Sequence, residues 1–156
     1  MRSDGREKLE DIILPQVTCD GRVLFVGLVD EQRDYGRRFW PDAEFETMDI
    51  DSAARATYTA DICNPPVLKS FDLIVVNGVL EQTDNPLAAI AGCKFLLAHG
   101  GRLFISGLFQ TPEYHCSAGD KWRFTVSGMR ALLSGMDTQT VWNVGGKWLY
   151  ALAKKS

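Results

Sequence analysis

The hydrophobic pattern is densest between Phe71 and Gly107, where the chain reads FDLIVVNGVLEQTDNPLAAIAGCKFLLAHGGRLFISG. Leu73 to Val76 form a continuous apolar run, as expected of a parallel strand covered on both faces, and Leu103 to Ile105 form a second. Between them Ile90, Cys93 and Leu97 recur at helical spacing. Asn85 is placed to cap that helix, Pro86 fits its first turn, and Gly100-Gly101 is expected to end it. Strand, loop, helix, turn and strand in one pass make a βαβ unit. Upstream, residues 5 to 14 place Leu9, Ile12 and Ile13 on one face of a short amphipathic helix, expected to pack across the sheet. Val23 to Val26 predict a buried strand stopped by Gly27, and Glu31 to Phe39 a helix weakened by Gly36 and ended by Pro41. Glu44 to Met48 alternate as a strand, and Thr57 to Ala60 suit another.

Downstream, Gly107 to Phe124 is a long loop, too rich in aromatic and polar residues to be a plain linker. Thr125 then caps a helix built on Met129, Leu132 and Leu133 that stops near Gly135. Thr138 to Val144 and Lys147 to Ala153 read as two strands joined by Gly145-Gly146, a linker typical of a tight hairpin. The pattern predicts an α/β fold whose mostly parallel sheet ends antiparallel.

A chain of 156 residues with 46% hydrophobic content is expected to fold as one domain, 1–156. Seventeen basic and twenty acidic residues give a formal charge of -3, which offers no field for nucleic acid or an anionic membrane. No apolar run approaches the ~18 residues of a membrane span, and the N-terminus is charged where a signal peptide is apolar, so a cytoplasmic location is expected. Cys19, Cys63, Cys93 and Cys116 form no CxxC pair; four reduced thiols and no metal site are the default.

Repeated strands and helices closed by an antiparallel hairpin resemble the class I S-adenosylmethionine-dependent methyltransferase fold, in particular the small type 11 group. The matching pieces are VLFVG at 23 to 27, MDID at 48 to 51, ADIC at 60 to 63, FDLIVVNGVLEQ at 71 to 82, LLAHGGRLFISG at 96 to 107 and DKWRFT at 120 to 125. The resemblance implies a Rossmann-like, seven-stranded sheet with helices on both faces and its last strand inserted antiparallel. It implies S-adenosylmethionine as cofactor and methyl transfer to a small-molecule or protein-borne acceptor that the sequence does not identify. The rival reading is a non-catalytic methyltransferase-like module, acting as a partner subunit or homodimer.

In open parallel sheets ligands bind beyond the carboxyl ends of the strands, which makes Asn77 to Gln82 the first place to look for chemistry. By resemblance, Asp49 closes the second strand where one carboxylate accepts bonds from both ribose hydroxyls, with Ile50 beside it. Asp61 and Ile62 match the segment that borders adenine. Asn77, Gly78 and Val79 match the segment that meets the methionine part, and Gly78 permits close approach. Without the resemblance, Asp49 and Asp61 would read as strand-end or turn residues. Relatives follow strand one with a GxGxG turn, whereas here the chain reads Gly27-Leu28-Val29-Asp30-Glu31, so Leu28 and Val29 are expected to obstruct the cofactor. Phe25 stands at a commonly acidic position, and Glu81-Gln82 replaces a frequent Glu-His, leaving Glu81 as a loop or helix-end charge.

In-line methyl transfer mainly requires alignment of donor and acceptor, with a base only where the acceptor must lose a proton. His115, in the long loop, is the candidate catalytic base, against the plainer reading of a surface histidine. His99 reads as a cation at a helix C-terminus, and Cys116 is a weak nucleophile candidate. Trp122 and Phe124 are expected to pack the loop onto the sheet, with Arg123 paired to Asp120 or Glu113. A nicotinamide-binding domain is disfavoured by the missing GxGxxG and by the closing hairpin.

Overall fold

Alternate residues along the central strands feed two separate cores, as the period-two geometry of a strand requires. Leu24, Val26, Ile74, Val76, Leu103 and Ile105 point to one face. Val23, Phe25, Leu73, Val75 and Phe104 point to the other. Both sets are buried because the sheet is covered on both sides, which is why these strands read as unbroken apolar runs. The computed structural model describes residues 17–27, 29–108, 119–144, 146 and 148–156. The helix expected at 5 to 14 lies outside them.

Among the described residues seven strands form one sheet: β1 (Arg22–Val26), β2 (Glu44–Asp49), β3 (Tyr58–Thr59), β4 (Phe71–Asn77), β5 (Leu97–Leu108), β6 (Asp137–Val144) and β7 (Trp148–Lys154). Their order across the sheet is β3-β2-β1-β4-β5-β7-β6. β1 through β5 run parallel, while β7 inserts between β5 and β6, antiparallel to both. At the tip of that hairpin the Asn143 Oδ1 accepts from the Gly146 N–H at 3.0 Å, and Gly146 adopts φ +66°. The seven-stranded arrangement that the resemblance implied is therefore present, with its terminal inversion.

Among the described residues three α-helices flank the sheet. Helix α1 (Val29–Phe39) lies on the Phe25 side, where Gly36 brings its backbone against Phe45: a Cβ at Gly36 would stand 3.0 Å from the Phe45 ring. The glycine that weakens α1 locally thus permits its close approach to β2. Phe25 stacks on Trp40 at 5.9 Å and meets Phe45 edge-on, so the residue at the commonly acidic position is a core aromatic here.

Helix α2 (Pro86–Leu96) buries Ala89, Ile90, Cys93 and Leu96 in the opposite core, joined there by Met129 of α3 (Val126–Leu132). Asn85 caps α2 by accepting from the Ala88 N–H at 3.1 Å, and Pro86 occupies the first turn. The expected stop at Gly100-Gly101 is corrected: α2 ends at Leu96, because Leu97 turns extended and pairs with Phe71 at the start of β5. Gly100, at φ +75°, and Gly101 instead take up the register shift between that pair and Leu73–Arg102. Burial pushes the Cys93 thiol up to about 12.

Thr125 caps α3 by accepting from the Gly128 N–H at 2.9 Å. Thr125→Ala should therefore cost about 1 kcal/mol and lower Tm by about 2–4 °C. Differential scanning calorimetry checks this, and an unchanged Tm would show that the cap contributes nothing.

Candidate functional site

The order of the sheet locates a crevice before any side chain is considered. From β1 the chain winds outward through β2 and β3, then returns to β4 on the other side of β1 and continues to β5. This is a topological switch, and its crevice opens at the carboxyl ends of β1 and β4. The residues there are Gly27 on one side and Asn77, Gly78 and Val79 on the other, all four singled out by sequence.

Gly27 adopts φ +77°, and its N–H donates to the Met48 carbonyl at 3.0 Å. A Cβ at Gly27 would lie 2.5 Å from Val79 Cγ2 and 3.2 Å from the Asn77 carbonyl oxygen, so only glycine fits. The expected obstruction at Val29 is redirected by these contacts. Val29 is buried as the first residue of α1, which begins two residues after Gly27, and the side chain that closes on Gly27 is that of Val79.

Asn77 is buried, and its Oδ1 accepts from the Ser106 hydroxyl at the end of β5. Gly78 sits at φ +69° with its N–H donating to the Ser106 carbonyl at 3.2 Å, while Gln82 Nε2 donates to the Gly78 carbonyl at 2.8 Å. These bonds fix the backbone where β4 leaves the sheet. Ser106 was not singled out by sequence; it lies one residue beyond the apolar run Leu103 to Ile105 and belongs to the longer strand β5.

Asp49 ends β2. Its Oδ1 accepts from the Asp51 N–H at 2.9 Å, and no other partner of the carboxylate is present among the described residues. Asp51 in turn caps the 3-10 turn Ser52–Ala54 by accepting from the Ala53 N–H. Ile50, between them, is 72% exposed and offers an apolar surface at the same edge. Asp61 is exposed after β3, its carboxylate accepting from the Cys63 N–H at 2.9 Å in an Asx turn. Ile62 is separated from these: its side chain is 4% exposed and packs into the core under α2. Cys63 places its sulfur 3.1 Å from the Thr83 hydroxyl, and burial raises its thiol above the ordinary range.

Glu81 differs from its sequence reading as a loop or helix-end charge. It is 1% exposed, and Oε2 would lie 3.5 Å from a Cβ on Gly107, at the end of β5. No spacing rule marks it, because a carboxylate inside an apolar strand exit reads like one on the surface. Its carbonyl receives the N–H groups of Lys121 and Trp122 at 2.8 and 3.0 Å, binding the segment 119–125 to the loop after β4. Lys121 Nζ adds a 2.7 Å bond to Asp84, whose carboxyl is held below its usual range by that hydrogen bond and the ammonium charge. Arg123 pairs with the Asp120 carboxylate in a bidentate contact at 2.6 and 2.8 Å, with the Asp120 side chain buried. Phe124 enters the core as expected. Trp122 is instead half out, donating from Nε1 to the Thr83 carbonyl at 2.7 Å.

His115, with Glu113, Tyr114 and Cys116, lies outside the described residues, as does Leu28. His99 lies beyond the end of α2, exposed, with Nδ1 at 3.3 Å from the Ser156 carbonyl oxygen. Two open depressions, of about 540 and 340 Å³, lie at the amino edge of the sheet around Asp20, Asp42 and Asp72 and around Trp40. That is the edge opposite the switch crevice. Arg22 fills the first with structural bonds to the Lys69 and Ser70 carbonyls and to Glu46, so the chemistry is better sought at the carboxyl edge. Among the described residues, no helix is long and apolar enough to cross a membrane, and no group of three or more His, Cys, Asp or Glu side chains is placed to hold a metal ion.

No curated protein sequence matches the chain. Among solved structures it is similar over 99% of its length, and 99% of the other chain, to the N-methyltransferase NodS from Bradyrhizobium japonicum WM9, at 16% identity and a TM-score of 0.71. The same enzyme in complex with S-adenosyl-L-homocysteine gives a TM-score of 0.67 at 15% identity, covering 98% of this chain and 93% of that one. A SAM-dependent methyltransferase from Aquifex aeolicus gives 0.70 at 13% identity, covering 98% and 90%. At these identities the likeness establishes the fold. Residues 22–105 match the type 11 Methyltransferase domain family. That match takes in β1 through most of β5 and every described residue of the switch crevice, more than half of the chain, which therefore belongs to this methyltransferase domain family.

Proposed function

We propose that the chain transfers a methyl group from S-adenosylmethionine to a small or peripheral acceptor, with the donor bound at the carboxyl edge. The observation that carries this reading is the convergence at one topological switch of two positive-φ glycines, Gly27 and Gly78, with the Asp49 carboxylate. The residues suit such a donor. Asp49 has acceptor capacity left for vicinal hydroxyls, Ile50 gives an apolar surface for a flat base, and Gly78 gives bare backbone for a polar chain. When bound, the donor supplies an electrophilic methyl on a sulfonium. The chain's own part is to hold the reactants in line and to exclude water. His115 is the candidate to accept a proton where the acceptor must lose one.

The second reading, a module that does not turn over, is favoured by one observation: α1 starts two residues after Gly27, and Val79 already packs on that glycine. Titration calorimetry with S-adenosylhomocysteine decides whether the site binds. The enzyme reading expects saturable one-site binding and a rise in Tm, since a ligand of the folded state stabilises it by mass action. No heat at millimolar ligand with folded protein would sink it and leave the module. Binding without methyl transfer to any acceptor would also favour the module.

A further inference from the structure

The exit of β4 is closed by a side chain where a helix would close it by backbone. The N–H groups of Gln82 and Thr83 both donate to the Val79 carbonyl, at 3.0 and 3.1 Å, so residues 79 to 83 make one tight turn. In a regular helix the N–H of residue 82 would instead reach the carbonyl of residue 78. That carbonyl is left over here, and Gln82 Nε2 reaches back to donate to it at 2.8 Å. Gly78 needs the tie. At φ +69° and without a Cβ it has the widest backbone freedom of any residue type, and its own N–H bond to the Ser106 carbonyl secures only one side of it. What the tie holds is a wall of the switch crevice, because the next residue, Val79, is the one whose Cγ2 would lie 2.5 Å from a Cβ on Gly27.

We propose that Gln82 is a positioning residue for the methyl donor: its amide sets the gap between Val79 and Gly27 in which the donor's amino-acid chain lies. This rests on the donor reading of the crevice given above and divides the donor between two seats. Asp49 and Ile50 stand at the end of β2, while the gap lies between the ends of β1 and β4, one and a half strand spacings away across the sheet. That is about 7 Å, comparable with the span of a ribose from its vicinal hydroxyls to its 5′ substituent. A nucleoside seated on Asp49 by those hydroxyls therefore sends its 5′ chain toward the gap. Gln82 acts there through Gly78 and Val79, without touching the ligand itself. Losing the tie lets the glycine leave the conformation that the gap requires, and the apparent affinity falls with the fraction of molecules that keep it.

Titration calorimetry on the full chain with two probes tests this: S-adenosylhomocysteine, and 5′-methylthioadenosine, which keeps the nucleoside and the sulfur but lacks the amino-acid chain. Gln82→Met keeps the length of the side chain and removes its donor. It should weaken S-adenosylhomocysteine about three- to tenfold, the worth of one neutral hydrogen bond, and leave 5′-methylthioadenosine bound as in the parent. Gln82→His, which carries an N–H donor at a similar reach, should recover most of the loss. A Gln82 that served stability alone would weaken both probes together, and that result overturns the proposal. So does a Gln82→Met variant that binds S-adenosylhomocysteine as the parent does, and so does a Gln82→His variant as weak as Gln82→Met, which would deny the hydrogen bond its part. A parent that binds only one of the two probes overturns the division of the donor between β2 and the gap. A parent that binds neither overturns the donor reading itself and this proposal with it, an outcome distinct from all the others.

Discussion

Gly92→Ala is expected to destabilise the fold by about 2 kcal/mol, opposite to the usual sign of this change inside a helix. An interior glycine ordinarily costs a helix about 1 kcal/mol relative to alanine, so the substitution should help α2 as a helix. The surroundings reverse the sign. A Cβ at Gly92 would lie 1.8 Å from the Ile62 carbonyl oxygen, 3.0 Å from its carbonyl carbon and 3.2 Å from Pro65 Cδ. The nearest obstacle is backbone, which has no rotamer to escape into, and Ile62 is itself anchored in the core beneath α2. Helix and loop must separate, placing the cost near the top of the overpacking range, about 3 kcal/mol. The gain in propensity offsets about a third of that. For a chain of this size the net loss should appear as a fall in Tm of about 4–8 °C. Gly36→Ala is the informative comparison, because its Cβ would meet the Phe45 ring at 3.0 Å, and a side chain can yield where a carbonyl cannot. If Gly92→Ala melted with the parent, the tight seat of α2 on the loop after β3 would be refuted. Since Asp61 immediately precedes Ile62, Gly92→Ala should also weaken any ligand held at that loop.

What the sequence made legible, and what it did not, follows from the range of the forces involved. Strands buried on both faces announce themselves as apolar runs, and a capping Asn85 before Pro86 is local, so β1, β4, β5 and the start of α2 appear where the pattern places them. The end of α2 does not, because Leu97 leaves the helix to pair with Phe71, a partner 26 positions away in the chain. The need for glycine at position 92 is not local either, because it is set by the Ile62 carbonyl oxygen, which would lie 1.8 Å from a Cβ there. The candidate site divides in the same way. Gly27, Asp49, Asn77 and Gly78 mark strand exits, and strand exits are visible in sequence. The burial of Glu81, the inward turn of Ile62 and the Asn77–Ser106 bond depend on which element covers which, and that is set by packing. The missing GxGxG turn was visible as composition, but its consequence was not. The freed space at Gly27 is met by Val79, a residue 52 positions downstream.

Asp49→Ala should lower affinity for S-adenosylhomocysteine by about 10- to 150-fold, the equivalent of about 1.5–3 kcal/mol for a charge-assisted hydrogen bond. The carboxylate stands at the end of β2 with one oxygen committed to the Asp51 N–H, so removing it also frees the turn that carries Asp51. Asp49→Asn separates the two effects. The amide oxygen still accepts from Asp51 and keeps the turn, while its NH₂ presents donors where the second carboxylate oxygen accepted. Loss of affinity in both variants would assign the effect to ligand contact. Loss in Asp49→Ala alone would assign it to the turn. Because Asp49 is only half buried and its contact is local, neither change should move the Tm of the unliganded protein by more than about 2 °C. The ligand-induced rise in Tm should shrink in proportion to the lost affinity. Calorimetry of parent and variants at one ionic strength is the measurement. If the parent binds and Asp49→Ala binds equally well, Asp49 does not touch the ligand, and Ile50 together with the bare backbone at Gly27 and Gly78 must hold it through shape alone.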